Sequence, residues 1–586
     1  MARRVLAALT MLLGGCTALP QPDLPPGDPV LGAARASREL AQLRGLPAPA
    51  ALEVATKDRE QLRESIGEIF QKEWGKHDEG LARAYRLFGL LPAELDVKRY
   101  LVELYTQQIA GYYDPEHAKL FVIQPDGGEG ESAEEAALLQ SYVTAHEVVH
   151  ALQDQQFDLE ALRKRVELEN DRALATTALI EGDATLASFE HLIWRNIGPP
   201  FSLAGPLGRS LVRGVVALGG QAALASDRPD ARALREAPDV IRSELLFAYL
   251  EGMAFVSALR SEFGWAAVDE AFRDPPESSE QILHPERYYD RRDRPVRITL
   301  AQGPPGWQPV FEETLGMLDL QVLLRTQLGG RAARNAEGWD GDRYVVWETG
   351  AGEALGWVTV WDHAYAARRF ERSYRRALRR RHGREGPYTI LRRSRVVVAC
   401  EGGEAEARER AARALLESRI ERAPEDREPD GPLRRLLLWP LAYHKLDRVR
   451  EAQVLGGRVL LLRSHSGGHR FVLLNGLLAR SERSPDRRQL SLALGLLQLK
   501  SDRRLGFRAG WIAPLLSLHE REVGKRSNLT AGLGHVPIFG PVLVLSRQDS
   551  ARHLDLLGGL LLRLHWGDPS APGVHLRLLR IPIPGF

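Results

Sequence analysis

The spacing of apolar positions changes along the chain and divides it into regions of different secondary structure. Between residues 51 and 334 apolar side chains recur every three to four positions, as at Leu62 and Ile66, which predicts amphipathic helices. Residues 335–425 alternate strand-like and helix-like runs, and from 433 onward short apolar runs recur between Gly, Pro, Asn and Asp. The fold class predicted is α+β and multidomain: a mostly helical unit, a small α+β unit and a β-rich C-terminal domain.

Within the helical region a hairpin and two long helices are predicted. Ile109–Tyr113 and Leu120–Ile123 flank a turn and predict a β-hairpin. Ser132 and Glu135 form an S-x-x-E capping box, which predicts the start of a long helix that continues past Leu152. Further helices are predicted over 168–192, 209–222, 239–262 and 311–329.

The small α+β unit is predicted from apolar runs that alternate with charged helical stretches. Its predicted strands are Tyr344–Trp347, Trp357–Trp361 and 388–399, and its predicted helices are 363–381 and 404–420. Cys400 ends the apolar run Val396–Ala399 and is predicted to be a buried strand thiol.

At 586 residues the chain is too long for one ordinary domain. Composition shifts and proline-rich stretches predict the boundaries, since residues 17–30 carry five prolines that favour an extended spacer. The predicted segments are a signal peptide (1–16), a Pro-rich linker (17–50), the helical unit (51–334), the small α+β unit (335–430) and the β-rich domain (431–586).

Composition and charge exclude some classes of protein. Apolar residues make up 44% of the chain and charged residues 27%, which is ordinary for a folded globular protein. The net charge of +2 gives no reason to expect a nucleic-acid partner, and the run Arg379–Arg381 is predicted to be a solvated helix face. Beyond the N-terminal region, no apolar run reaches the 18 residues that predict a transmembrane helix.

The N-terminus carries the pattern of a secretory signal. Arg3 and Arg4 precede the apolar run Val5–Leu13, and the small residues that follow lead to Cys16. Leu13-Gly14-Gly15-Cys16 resembles a bacterial lipobox, which implies a lipid on Cys16 that tethers the protein to a membrane. The alternative is an ordinary signal with an incidental cysteine. Thr17 stands after Cys16 where Asp would favour retention in the inner membrane, so the outer membrane, facing the periplasm or the cell surface, is expected.

His146-Glu147-Val148-Val149-His150 is an H-E-x-x-H motif on a predicted helix. Residues i and i+4 lie on one face of a helix, so His146 and His150 can bind one Zn²⁺. Glu147 stands next to the first ligand, where a carboxylate can accept a proton from an attacking water and pass it on. This pattern predicts zinc as cofactor and Glu147 as general base.

A third zinc ligand is predicted on the next long helix, at Glu181 in the segment Glu181-Gly182-Asp183-Ala184. H-E-x-x-H followed by a helix with E-G-x-A resembles the gluzincins, the thermolysin and zinc-aminopeptidase group of metallopeptidases. The resemblance covers about residues 100–190 and implies a zincin-like domain, Glu181 as third ligand and a peptide or protein substrate. The alternative for Glu181 is a surface carboxylate, with Glu190 and Glu169 as the rival candidates for third ligand.

The resemblance also implies supporting residues. Asp183 and Asp154 are each candidates to orient a zinc-binding histidine, or are exposed helix charges. Because this family stabilises the oxyanion with Tyr or His, Tyr112, Tyr113 and His284 are candidates for that role, although His284 is equally explained as a loop cap. Either strand of the hairpin is a candidate edge for pairing with extended substrate, or the hairpin is purely structural.

Three hypotheses of function follow. The first is a membrane-anchored zinc peptidase acting in the bacterial envelope. The second is a zinc-binding envelope lipoprotein that does not cleave peptides and acts in binding or assembly through its β-rich domain. The third treats residues 433–586 as a membrane-associated β-structure, because many of its strands are apolar on both faces, which a buried core also explains.

Overall fold

The computed structural model describes residues 29–48, 52–124, 133–197, 229–289 and 292–422, and parts of 203–217 and 435–582. Within these ranges the fold mixes helices with sheets of three, two, five and sixteen strands. Cys16, Ser132 and the predicted signal peptide lie outside the described residues. Among the described helices, none combines the length and apolar character needed to cross a membrane.

The N-terminal region is mostly helical, as its apolar spacing predicts. Its helices in chain order are α1 (Pro29–Arg44), α2 (Arg59–Glu73), α3 (Lys76–Phe88), α4 (Val97–Gln108), α5 (Ala133–Phe157), α6 (Leu159–Lys164), α7 (Asn170–Ile197), α8 (Pro229–Glu236), α9 (Asp239–Phe263), α10 (Trp265–Arg273), α11 (Ser279–Leu283) and α12 (Glu286–Tyr289). α5 and α7 are the two long helices predicted around the H-E-x-x-H motif and Glu181.

Helix α1 corrects the predicted linker over 17–50, since the second half of that segment is folded. Leu40 and Leu43 are buried, and the side chain of Arg44 is fully buried. Arg44 forms ion pairs with Asp183 of α7 and Asp269 of α10, which offset the cost of burying its charge. Proline at the first turn of a helix is compatible with the helical backbone, so Pro29 does not oppose α1.

The predicted hairpin is confirmed, within a three-stranded sheet. Strands β1 (Glu53–Lys57), β2 (Gly111–Asp114) and β3 (Lys119–Ile123) lie in the order β1-β3-β2. β3 is central, parallel to β1 and antiparallel to β2. Of the two hairpin strands considered for pairing with substrate, only β2 therefore lies at an edge.

The small α+β unit is built on a five-stranded sheet. Its elements are β4 (Arg297–Thr299), β5 (Gln308–Glu313), α13 (Gly316–Leu328), a 3₁₀ helix (Gly330–Ala336), β6 (Trp339–Thr349), β7 (Gly352–Trp361), α14 (Ala364–His382), β8 (Tyr388–Arg393), β9 (Val396–Gly402), α15 (Ala405–Leu415) and β10 (Arg419–Glu421). The strand order is β5-β6-β7-β9-β8, and β4 pairs with β10. The helix predicted over 311–329 begins only at Gly316, because residues 308–313 pair with β6. Cys400 is buried in β9, as predicted.

A continuous core joins the helical region to this sheet. The ring of Phe88 at the end of α3 meets the rings of Tyr344 and Trp357 edge-on, at centroid distances of 5.2 and 5.0 Å. Trp339 and Trp361 are also fully buried in the same cluster. Burial of rings of this size contributes several kcal/mol to stability, so the two regions stabilise each other.

The C-terminal region is one antiparallel sheet of sixteen strands, in which each strand pairs with its neighbours in sequence. The strands are β11 (Arg435–Leu438), β12 (Leu441–Leu446), β13 (Val449–Val454), β14 (Leu460–His465), β15 (Gly468–Leu473), β16 (Ala479–Arg483), β17 (Arg487–Leu492), β18 (Leu497–Asp502), β19 (Phe507–Ile512), β20 (Leu516–Val523), β21 (Arg526–Val536), β22 (Gly540–Gln548), β23 (Ala551–Leu556), β24 (Leu562–Asp568), β25 (Ala571–Leu578) and β26 (Ile581–Pro582). The predicted β-rich character is confirmed.

Candidate metal centre

The two histidines of the H-E-x-x-H motif lie one turn apart on a buried face of α5. His146 and His150 are 6% and 8% exposed. Their rings are nearly perpendicular, and the two Nε2 atoms are 3.1 Å apart. The i, i+4 spacing on a regular helix therefore brings both imidazole lone pairs to one point.

Glu181 of α7 meets the two histidines, as the sequence predicts. Its Oε2 lies 3.1 Å from Nε2 of His146 and 3.4 Å from Nε2 of His150. Within the described residues these three side chains are a set that could hold a metal ion. A tetrahedral ion with ligand distances near 2.0–2.1 Å separates its ligand atoms by about 3.3 Å. The donor set and its spacing therefore fit zinc.

Electrostatics at this point favour a cation. Burial by itself lowers the pKa of His150, but the charges of Glu181 and Glu147 outweigh burial and raise that pKa to about 9. Burial likewise raises the pKa of Glu181, yet the two histidines hold it well below its usual range. A carboxylate kept ionised beside two imidazoles is a site where a divalent ion can replace a proton.

Glu147 lies beside this cluster on the same helix and is 7% exposed. Burial raises its pKa above the ordinary value, and His150 and His146 offset part of that effect. The backbone N–H of Tyr113 in β2 donates to its carboxylate. A Cβ added to Gly111 would lie 2.6 Å from Cγ1 of Val143 and 3.6 Å from Cγ of Glu147, so only glycine lets the edge strand approach α5 this closely.

A chain of buried polar groups orients His150. Its Nδ1 lies 2.9 Å from Oε1 of Gln153, and an amide oxygen only accepts, so Nδ1 carries a proton and Nε2 is the nitrogen that faces Glu181 and His146. Nε2 of Gln153 donates to Asp183 Oδ2 at 3.0 Å. Arg44 in turn donates to Asp183 at 2.8 Å. Asp183 thus supports His150, but through Gln153 rather than directly. Sequence spacing gave no signal for Gln153 or Arg44.

Close contact between α7 and α9 adds a tyrosine to the site. A Cβ on Gly182 would lie 2.1 Å from the backbone of Gly252, and a Cβ on Gly252 would lie 2.0 Å from the carbonyl oxygen of Ala178. The two glycines therefore let the helices touch beside Glu181. On α9 the ring of Tyr249 stacks 5.9 Å from that of His146, and the charge of Glu181 and burial raise the Tyr249 pKa well above its usual range.

Three other predicted residues have partners away from the cluster. The Tyr113 hydroxyl donates to Asp154 Oδ2 at 3.1 Å, and Asp154 also accepts from the backbone N–H of Leu159. Asp154 therefore links the last turn of α5 to the first residue of α6, and these two bonds do not involve a histidine. His284 pairs with Glu337 at 3.4 Å and Glu286 at 3.7 Å. Burial raises the pKa of Glu251, the residue before Gly252, and the charge of His284 offsets part of that effect.

Comparison with known proteins bears on a different part of the chain. Residues 308–428 match a family described as a domain of unknown function, DUF8575. This segment begins at β5 and covers the five-stranded sheet with its helices. No curated protein and no solved structure matches the chain.

Proposed function

We propose that the helical region is a zincin-like metallopeptidase unit and that the protein is a zinc-dependent peptidase. The observation that supports this proposal is the convergence of His146 Nε2, His150 Nε2 and Glu181 Oε2 within 3.1–3.4 Å. A buried glutamate, Glu147, stands next to this cluster on the same helix. Two histidines and one glutamate form a known catalytic zinc set.

The proposed chemistry is hydrolysis of a peptide bond. When bound, zinc supplies Lewis acidity, which lowers the pKa of water to about 7 and polarises a carbonyl group. Glu147 accepts the proton from the attacking water and delivers it to the leaving amine.

Tyr249 is proposed to donate a hydrogen bond to the developing oxyanion, a role for which the sequence offered Tyr112, Tyr113 and His284 as candidates. Its ring stacks on His146, and its raised pKa keeps the hydroxyl protonated. The Tyr113 hydroxyl is already bonded to Asp154.

The substrate is proposed to be an extended segment of peptide or protein. Strand β2 lies at the edge of its sheet and against Glu147 through Gly111 and the Tyr113 N–H. An edge strand offers unpaired backbone groups to which an extended chain adds by main-chain hydrogen bonds. Substrate added to β2 would place a scissile bond beside Glu147.

A lipid on Cys16 is proposed to hold this unit at a bacterial membrane. The support is the sequence Leu13-Gly14-Gly15-Cys16 after a short apolar run. Cys16 precedes α1 at Pro29 by 13 residues, and α1 packs into the core of the helical region through Leu40 and Arg44. The lipid would therefore hold the peptidase unit at the cell envelope through the Pro-rich spacer.

The test is hydrolysis of an unstructured protein by the polypeptide from Thr17 to Phe586, with zinc content measured in parallel. Glu147→Gln should retain zinc and lower kcat by about 10²–10⁴-fold. The matched control is Glu160→Gln, which makes the same change at an exposed residue of α6 and should leave kcat unchanged.

Other outcomes separate the competing functions. Stoichiometric zinc without cleavage of any substrate, in wild type and variant alike, would favour the zinc-binding envelope protein. Failure to retain zinc in the wild type would overturn the metal centre itself.

A further inference from the structure

The sixteen-stranded sheet has a regular pattern across its strands. Paired residues can be followed across the sheet from β11 to β26, with one residue from each strand, and together they form a continuous row. Each member of this first row is the terminal residue of its strand or lies within three residues of that end. Every member of this first row is aliphatic: Leu438, Leu441, Val454, Leu460, Leu473, Ala479, Leu492, Leu497, Ile512, Leu516, Leu533, Leu543, Leu556, Leu562, Leu578 and Ile581.

The third row, two residues further along each strand, lies on the same face because side chains alternate. It is also mostly aliphatic or aromatic. Its members from β12 to β25 are Tyr443, Ala452, Leu462, Phe471, Ser481, Leu490, Leu499, Gly510, Leu518, Ala531, Leu545, Leu554, Leu564 and Leu576. The first and third rows together are called the apolar band.

The apolar band lies on the exposed face of the sheet where burial is described. Leu462 and Leu499 of the third row are 43% and 52% exposed. The second row, one residue along each strand from the first, lies on the opposite face of the sheet. Two of its members, Val472 and Ser491, are buried. A band of leucines that faces outward is the reverse of the usual pattern, and an extended exposed apolar surface marks an interaction site.

The fifth row, on the same face, is rich in lysine and arginine, which make up seven of its fourteen members from β12 to β25, and it includes Glu520 opposite Arg508. Within it lysine and arginine stand directly opposite each other on neighbouring strands in three places: Lys445 with Arg450, Arg483 with Arg488, and Arg547 with Arg552. Like charges directly opposite each other destabilise a sheet. Anions between such pairs would remove this cost.

We propose that this face binds an anionic lipid bilayer, with the apolar band at the acyl boundary and the fifth row at the headgroups. The rise of about 3.3 Å per residue places the fifth row about 13 Å from the first. Interfacial elements insert their apolar faces about 5–10 Å, and the apolar band spans a similar depth. Charge complementarity with phosphate selects lipid over a protein partner. This inference stands independently of the proposed peptidase site.

The test is flotation of the polypeptide from Thr17 to Phe586, which lacks the predicted lipid anchor, with phosphatidylcholine vesicles with or without phosphatidylglycerol. Leu462→Glu with Leu499→Glu should weaken binding to the mixed vesicles about tenfold or more, since two exposed apolar contacts are lost. The matched control is Ile69→Glu with Leu168→Glu, two exposed apolar residues of the helical region. The control should bind like wild type.

Two further measurements separate lipid from other partners. Arg483→Glu with Arg488→Glu should abolish the preference for phosphatidylglycerol. A fluorophore on Leu499→Cys should shift its emission to the blue when vesicles are added, and labelling is selective because the remaining cysteine, Cys400, is buried. Absence of vesicle binding by a folded wild type would overturn the proposal. So would equal binding by the Leu462/Leu499 variant and its control, or self-association that the same variant abolishes.

Discussion

The candidate site in the helical region is built from residues far apart in sequence, whereas the sixteen-stranded sheet is built from strands that follow one another in sequence. The candidate metal centre combines side chains from α5, α7 and α9, and its support includes Arg44 of α1. In the sheet, by contrast, each strand pairs with its neighbours in sequence, and the rows follow from chain order. A site assembled from distant segments depends on every contact between them, whereas a sheet of sequential hairpins depends on local pairing.

Because of this difference, substitutions should affect the two regions in different ways. A change at one helix contact should disturb residues far away in sequence, because packed cores transmit strain. A change in one hairpin should remain local, since each strand contacts its immediate neighbours.

Gly182→Ala should cause the largest loss, because its Cβ would collide with the backbone of Gly252 and separate α7 from α9. We expect a fall of about 3 kcal/mol in the free energy of unfolding, measured by urea denaturation, with loss of zinc. Gly67→Ala is the control, since nothing lies within 4 Å of its Cβ, and it should be neutral or stabilising by up to about 1 kcal/mol. Equal effects at the two glycines would contradict the helix contact.

Asp171→Asn should change how stability depends on pH. Burial raises the pKa of Asp171 to about 7, so its contribution is fully present below about pH 4 and is lost as the pH rises through 7. Asparagine still accepts a hydrogen bond from the Ser279 N–H but does not ionise. Wild type should lose stability between pH 4 and 7 by on the order of 2 kcal/mol more than the variant, measured by denaturant titration. Parallel pH profiles would refute this.

Gln153→Met should weaken zinc binding by about 10–100-fold, because His150 Nδ1 loses its acceptor while the volume of the side chain is kept. Competition with a chromogenic chelator measures the affinity. Gln155→Met, a change in the same helix at an exposed position, serves as the control. If both variants bind zinc like wild type, Gln153 does not orient the ligand.

Deletion of residues 571–586 should have the smallest effect at the metal centre. This change removes β25 and β26, which pair only with each other and with β24 among the described strands. Zinc affinity and kcat should stay within about twofold of wild type, because the loss is confined to one end of the sheet. A larger change would show that the sheet and the metal centre are coupled.

Sequence patterns predicted several helices and strands of this protein and the clustering of the motif residues. The i, i+4 spacing on a helix brought His146 and His150 together, and the apolar periodicity located α5 and α7. Alternation and turn residues predicted the hairpin and the β-rich region. These features are local, and helix or strand geometry relates them directly to residue spacing.

Other features depend on packing between distant segments, and no spacing rule predicts them. The strand nature of residues 308–313 depends on pairing with β6, which overrides their helical pattern. Helix α1 was hidden within a proline-rich stretch, because its burial depends on Arg44 reaching Asp183 and Asp269.

Residue spacing alone was enough to predict the H-E-x-x-H pair, the carboxylate on the second helix and the β-rich character of the C-terminal region, because each follows from regular backbone geometry. Packing between distant segments was needed to establish that Gln153 orients His150, that Tyr249 stacks on His146, that β2 is the edge strand beside Glu147 and that the strands of the sheet pair in register. These relations depend on how closely helices and strands approach one another. That approach is set by side-chain volume and by glycines such as Gly182 and Gly252, whose partners lie far away in sequence.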